Sequence, residues 1–223
     1  MRSLPLPLAL TARISPVAVL ACAGWALASG PLASAQSDTG AATTQKSPSR
    51  SQSAPSSAAV SKTYAAAPAP CAGVAAKTVA ALVPGAKTAG KEIPSTDTTL
   101  RRTCSWNALK GYDYRWLDVS FELMDSDEAA LASYKERVGD KSGGGAVPGL
   151  GDEGYSVVNL VTEDKQQTRE GAVFARVANA LVVVTYNGSD FETKKAPGTD
   201  EINKGAIKAA KEAVDALRAG PKS

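Results

Sequence analysis

The stretch LDVSFEL at residues 117–123 alternates apolar and polar side chains at every position. Because successive side chains of a β-strand point to opposite faces, this pattern predicts a strand with one buried and one solvent-facing side. One-sided strands of this kind are typical of antiparallel sheets. The stretch therefore favours an antiparallel sheet as the centre of the fold.

Further strands and helices are predicted on both sides of this stretch. Apolar spacing and turn residues predict four more strands, near residues 100–107, 155–161, 172–177 and 181–186, with a turn at Asn187-Gly188 ending the last one. Helices are predicted over residues 71–83, 125–138 and 199–219, the second burying Leu131, Tyr134 and Val138. The order α-β-β-α-β-β-β-α predicts an α+β fold, with an antiparallel sheet of about five strands and helices covering one face.

The N-terminal residues 1–35 are typical of a signal peptide. Arg2 and Arg13 precede an apolar run over residues 14–28, and the small residues Ala33-Ser34-Ala35 predict cleavage before Gln36. No later stretch is as long and apolar, so no transmembrane segment is expected in the mature chain. The sequence Val-Leu-Ala before Cys22 leaves a second route open, in which Cys22 is lipidated and the protein is a lipoprotein anchored to the membrane.

Residues 36–70 are almost entirely Ser, Thr, Ala, Pro, Gln and Gly. A segment of this composition buries too little apolar surface to offset its conformational entropy, so a disordered linker is predicted. Residues 71–219 follow as a single globular domain.

Composition excludes several classes of function. The chain of 223 residues has no histidine, which removes the usual general base and the commonest nitrogen ligand for transition metals. No Gly-x-Ser-x-Gly nucleophile motif is present either, so we expect no enzyme, no cofactor and no metal site. The predicted domain is close to neutral with mixed signs, which argues against nucleic acid as a partner.

Signal cleavage would leave two cysteines, Cys71 and Cys104. An even number of cysteines in an exported protein favours a disulfide bond, here between the first helix and the first strand. Because Cys104 and Trp106 share one face of a strand, the tryptophan should pack beside the bridge.

Three short motifs carry a resemblance to a known family. Pro70-Cys71 opening a helix, Cys104-Ser105-Trp106 in a strand, and the run PGLGDE at residues 148–153 resemble an actinobacterial cell-envelope family of secreted proteins and lipoproteins. The family is built on a single domain of unknown function. The resemblance implies a fold similar to the PsbP-like α/β sandwich and carries the cysteine pair over as the expected bridge, but it assigns no catalytic residue.

Tyr112, Tyr114 and Trp116 are the first candidate for a binding surface. Alternation places them on one face, opposite Leu117. We expect them to pack in the core; the alternatives are that they cap the edge of the sheet or form an exposed stacking platform for a sugar or a peptide.

The glycine-rich loop over residues 142–154 is the second candidate. Its glycines suit tight turns, and a recognition loop at Gly149, Gly151, Asp152 and Glu153 is the alternative. Asp152 and Glu153 are not expected to act as an acid–base pair, since adjacent strand residues point to opposite faces.

The sequence thus predicts a secreted, non-catalytic binding or interaction module of the bacterial cell envelope. Its partner would be an envelope protein or a wall component, and we expect a monomer. An alternative is a carrier of a small apolar or amphipathic ligand, held in a cleft between sheet and helices. A hydrolase that uses paired carboxylates is the third hypothesis.

Overall fold

The computed structural model describes residues 62–139, 141–220 and 222. The predicted signal peptide, the predicted lipidation site Cys22 and the predicted linker as far as residue 61 lie outside the described residues. None of the helices within the described ranges is long and apolar enough to cross a membrane.

The described chain forms one antiparallel sheet with three α-helices. In chain order the elements are a short 3-10 helix Pro70–Ala72, α1 Ala76–Leu82, β1 Lys91–Ile93, β2 Arg101–Lys110, β3 Asp113–Leu123, α2 Asp127–Gly139, β4 Gly145–Ala146, β5 Glu153–Glu163, β6 Gln166–Val177, β7 Ala180–Asp190 and α3 Thr199–Ala219. The strand order is β1-β2-β3-β7-β6-β5-β4, so the predicted α+β class is confirmed.

The sheet has seven strands, and the prediction of about five was wrong. The two extra strands are β1 and β4, which lie at the two edges and contain three and two residues. Segments this short show no hydrophobic period, so alternation could not reveal them.

The main core lies between the sheet and α3. Leu117, Val119 and Phe121 of β3 are fully buried, as the alternating stretch predicted. Four alanines of α3 are buried against the sheet, namely Ala206, Ala209, Ala210 and Ala213. Small side chains let the helix approach closely: a Cβ built on Gly205 would lie 2.7 Å from Cε1 of Tyr186. Helix and sheet are therefore in direct contact along α3.

Helix α2 covers part of the opposite face, so the prediction that the helices cover one face was wrong. Tyr134 of α2 forms a second buried cluster with Val157, Phe174 and Leu181, whose side chains alternate with those of the main core. Glu122, expected to face solvent, is buried beneath this helix, where its carboxylate pairs with Arg137 at 2.6 Å. Of the predicted stripe on α2, Tyr134 is buried, whereas Leu131 and Val138 are half-buried.

Strand β7 continues through Asn187-Gly188, so the predicted turn at this pair was wrong. A Cβ on Gly188 would lie 2.7 Å from Cγ of Pro197 and 2.9 Å from Nη1 of Arg115. The glycine therefore permits close packing inside a strand. The chain turns after Asp190, whose carboxylate accepts a hydrogen bond from the main-chain N–H of Thr193 at 2.7 Å.

The region before the first helix is ordered earlier than predicted. Tyr64 and Ala67 are buried in the main core, so the C-terminal end of the predicted linker, placed at Pro70, was wrong. We call residues 62–69 the N-terminal strap. The predicted helix over residues 71–83 is also divided, because residues 73–75 separate the 3-10 helix from α1.

The predicted disulfide between Cys71 and Cys104 is confirmed, with an S–S distance of 2.02 Å. Trp106 lies beside it, as predicted: a Cβ on Gly90 would come within 2.6 Å of the Cys104 sulfur and 2.5 Å of Trp106 Nε1. Gly90 also has a positive φ of 67°, which other residues rarely adopt. The bridge, the tryptophan and this glycine thus form one tightly packed corner of the core.

A candidate ligand-binding face

Helix α2 leaves part of its side of the sheet exposed, and the register places a row of polar side chains there. Asn107 of β2 pairs with Trp116 of β3, and Trp116 pairs with Asn187 of β7. Asn187 pairs with Glu170 of β6, which pairs with Asn159 of β5. Directly paired residues share a face, so one line of five side chains crosses the sheet. We call this line the amide row.

The amide row is accessible to solvent. Asn107, Trp116, Glu170 and Asn159 are exposed, and Asn187 is half-buried. Within the described chain, the three asparagine side chains and Glu170 hydrogen bond to no protein group. Their donors and acceptors therefore remain available to a ligand.

The indole ring of Trp116 is held in a fixed orientation. Its Nε1 donates to Oδ1 of Asp118 at 2.7 Å and to Oγ of Ser105 at 2.9 Å. Asp118 and Ser105 are themselves paired in register, so the next row of the sheet anchors the ring. Although 39% of Trp116 is exposed, the only hydrogen-bond donor of its side chain, the indole N–H, already binds Asp118 and Ser105. What the side chain offers a ligand is therefore its aromatic surface.

The other two predicted aromatic residues lie at the end of the same face. Tyr114 shares the face of Trp116, opposite Leu117, as alternation predicted. Its ring stacks on Phe191, with centroids 6.0 Å apart. Tyr112 occupies the turn between β2 and β3 and is 57% exposed. None of the three lies in the core, so the expectation of core packing was wrong.

Sequence reasoning missed Phe191, which completes this aromatic end. Its main-chain N–H donates to the carbonyl of Tyr112 at 2.9 Å, which brings the segment after β7 beside the β2–β3 turn. The two residues are far apart in the chain, and no local pattern connects them. Only the pairing of β3 with β7 brings them together.

A surface groove of about 520 Å³ lies next to the amide row. The end of β1 and the segment that follows it form its wall, including Ile93 and Leu100, which are 40% and 48% exposed. Asp118, which anchors Trp116, lines the same groove. The groove therefore extends the candidate face toward the β1 edge of the sheet.

The predicted recognition loop is tied to the protein and does not join this face. Gly149 and Gly151 have φ values of 76° and 67°, and a Cβ on Gly151 would collide with the carbonyl oxygen of Arg176. Asp152 accepts a hydrogen bond from the N–H of Ala178 at 2.8 Å. These contacts fasten the loop to the β6–β7 turn, so its glycines serve packing and turn geometry.

The two carboxylates of this loop converge, contrary to the expectation that they diverge. Asp152 Oδ2 and Glu153 Oε2 lie 3.4 and 3.2 Å from nitrogen atoms of Arg176. Convergence is possible because Asp152 precedes the strand, whose first residue is Glu153. Since the guanidinium lies between them, the pair forms an ion cluster. No group of three potential metal ligands occurs among the residues that the structure describes.

Close packing fills most of the space between sheet and helices. A Cβ on Gly171 would lie 2.7 Å from Cγ2 of Ile202, and the hydroxyl of Tyr186 donates to the carbonyl of Leu82 at 2.7 Å. A groove of about 420 Å³ lies at the outer end, between β4, β5 and the start of α3. Asn203 lines it with a buried Oδ1 that has no partner in the described chain.

Comparisons with known proteins give only distant similarities. No protein-family model matches the chain, and no curated protein matches it in sequence. The extracellular domain of PknH from Mycobacterium tuberculosis aligns with 12% identity and a TM-score of 0.33, over 54% of this chain and 64% of that domain. A protein from Bacteroides thetaiotaomicron VPI-5482 aligns with 8% identity and a TM-score of 0.27, over 53% of this chain and 47% of that one. This chain thus spans less than two thirds of either structure, and neither likeness assigns a function.

Proposed function

We propose that this protein is a non-catalytic binding module of the bacterial cell envelope, and that it engages its partner through the exposed part of the sheet face that carries the amide row. The observation that carries the proposal is the amide row, in which a fixed, exposed Trp116 lies between Asn107 and Asn187. Exposed aromatic side chains with unused polar groups around them are a common basis for recognition.

A location outside the cytoplasm is supported by the disulfide between Cys71 and Cys104. Disulfides of this structural kind persist mainly in oxidising compartments. The bridge also suits membership of the cell-envelope family that the sequence resembles, and through it a PsbP-like fold. Secretion and lipid anchoring both agree with this proposal.

The carrier hypothesis has weaker support. The contacts of Gly171 and Gly205 leave little room beneath α3 for an apolar ligand. The groove beside Asn203 is the place where a small ligand would have to bind. A native mass of the exported protein tests this alternative, since a carrier should retain an adduct of a few hundred daltons after purification, on the order of a drug-sized ligand.

The binding function is tested by sedimentation with an insoluble envelope preparation. The exported protein should sediment with this material, and the Trp116→Ala variant should remain largely in the supernatant. Leu160→Ala is the matched control, because Leu160 is 45% exposed and adjoins Asn159, so that it points to the opposite face. Equal sedimentation of wild type and Trp116→Ala would contradict the proposal.

A further inference from the structure

We propose that the open face binds a neutral glycan chain, laid across the strands with one sugar ring on Trp116. The inference rests on the proposed binding function and specifies its ligand. It is argued from the hydrogen-bonding capacity, the dimensions, the aromatic surface and the charge of the amide row.

The hydrogen-bonding groups of the row match hydroxyl groups. Asn107, Asn187 and Asn159 each offer a donor and an acceptor, and a sugar hydroxyl is likewise both. An amide can therefore pair with a hydroxyl in either direction. Because these side chains have no partner in the described chain, binding would not require breaking bonds within the protein.

The row is long enough for several sugar units. It crosses β2, β3, β7, β6 and β5, which is four strand spacings of about 4.8 Å, or roughly 19 Å. Regular strands hold all five side chains, so the spacing is fixed before the ligand arrives. A chain of repeating units fits such a platform better than one compact molecule does.

Trp116 provides the apolar contact that a sugar ring needs. One face of a pyranose exposes C–H groups, which pack well on an aromatic ring. The bonds from Nε1 to Asp118 and Ser105 fix the ring, so little conformational entropy is lost on binding. Tyr114 and Tyr112 add aromatic surface at the end of the same face.

The charge of the row disfavours anionic polymers. Glu170 is its only ionisable member, and Asp118 adds a second carboxylate in the neighbouring row. Phosphate-bearing polymers need lysine or arginine contacts, which the amide row does not contain. A glycan without acidic groups is therefore the suitable ligand.

An extended peptide is the less suitable ligand. Peptides that bind a sheet usually pair their backbone with an edge strand. The amide row lies on the face of the sheet, where the main-chain groups of its central strands already pair with their neighbours. Side-chain recognition from above the sheet suits a ring-shaped, hydroxyl-rich ligand.

The test is calorimetric titration of the exported full protein with neutral tetrasaccharides of N-acetylglucosamine, glucose, mannose and galactose. At least one should bind, and the tetrasaccharide of that sugar should bind more tightly than its monosaccharide. Trp116→Ala should weaken binding roughly tenfold or more, whereas Trp116→Phe should retain part of it. Leu160→Ala, on the opposite face, should bind as wild type does.

Two results would overturn the inference. One is the absence of binding to all four tetrasaccharides, and the other is binding that Trp116→Ala leaves unchanged. If the protein nevertheless sediments with the envelope preparation in a Trp116-dependent way, the binding function stands and the ligand is not a neutral glycan. Protease treatment of that preparation would then remove the binding if the partner is a protein.

Discussion

The side chain of Asn179 and the main chain of Tyr64 form a closed pair of hydrogen bonds across 115 residues of sequence. Tyr64 N donates to Asn179 Oδ1 at 2.9 Å, and Asn179 Nδ2 donates to the carbonyl of Tyr64 at 3.0 Å. The same Nδ2 also donates to the carbonyl of Met124 at 2.9 Å. Asn179 is fully buried, so this one amide holds the N-terminal strap against the β6–β7 turn and the end of β3.

Replacing Asn179 should therefore destabilise the protein. Asn179→Ala leaves the buried main-chain groups of Tyr64 and the half-buried carbonyl of Met124 without the Asn179 amide, and we expect the free energy of unfolding to fall by about 2–4 kcal/mol. Urea unfolding measures the change. Asn159→Ala is the matched control, since Asn159 is exposed and should shift stability by less than about 0.5 kcal/mol. A similar effect of both substitutions would contradict the role given to Asn179.

The two tryptophans of the described chain should respond differently to truncation. Trp106 is 2% exposed and donates to the carbonyl of Thr88 at 3.0 Å, so Trp106→Ala should cost about 3–5 kcal/mol. Trp116→Ala removes an exposed ring and should cost less than about 1 kcal/mol. Thermal unfolding of both variants tests this. A large loss of stability in Trp116→Ala would mean that the ring serves the fold.

Two glycines of helices should respond differently when changed to alanine. At Gly205 the gain in helix propensity is about 1 kcal/mol, but the new methyl group would collide with Tyr186, and overpacking costs about 1–3 kcal/mol. We therefore expect Gly205→Ala to be destabilising. A Cβ on Gly139 meets nothing within 4 Å, so Gly139→Ala should be neutral or stabilising in the same urea experiment.

Stability should be insensitive to pH near neutrality and fall at both extremes. A hydrogen bond from Arg102 lowers the pKa of Glu92, and one from the Thr193 N–H lowers the pKa of Asp190. The stability that these two hydrogen-bonded carboxylates contribute is present above the ordinary carboxyl pKa of about 4 and is lost as pH falls. Burial raises the pKa of Tyr186, so its contribution is present below about pH 10 and is lost at higher pH.

Melting temperatures measured across the pH range check this prediction. The chain has no histidine, so no side chain of ordinary pKa titrates between about pH 5 and pH 8. We expect a melting temperature that is constant near neutral pH and falls at both acidic and alkaline pH. A step in the melting temperature near pH 6.5, where an ordinary histidine would titrate, would contradict it.

The sequence predicted the elements that have a strong local period. The alternation at residues 117–123 predicted the central strand, and the apolar spacing over residues 199–219 predicted the main helix, because burial on one face imposes a fixed spacing. It did not reveal that α2 lies on the other face, since Glu122 is polar and is nevertheless buried where it pairs with Arg137 of that helix. Tyr64 was missed for a similar reason, because its neighbours in sequence are polar and small.

The candidate face was only partly predictable. The spacing of Tyr114 and Trp116 placed both on one side of a strand, and the structure agrees. The sequence could not predict that Asn187 and Glu170 lie in line with Trp116, because strands that are distant in sequence bring them together. Gly188 gave a misleading signal, since Asn-Gly favours a turn where the strand in fact continues.

The central position of β7 has a consequence for how the chain reaches its native state. β7 is the last strand in sequence, yet it lies between β3 and β6, which pair with it and not with each other. Until β7 is complete at Asp190, nothing joins the β2–β3 hairpin to the β5–β6 hairpin, and a two-stranded hairpin is only marginally stable alone. A chain that emerges N-terminus first can therefore complete its core only after Asp190 has emerged, when β7 joins the two hairpins.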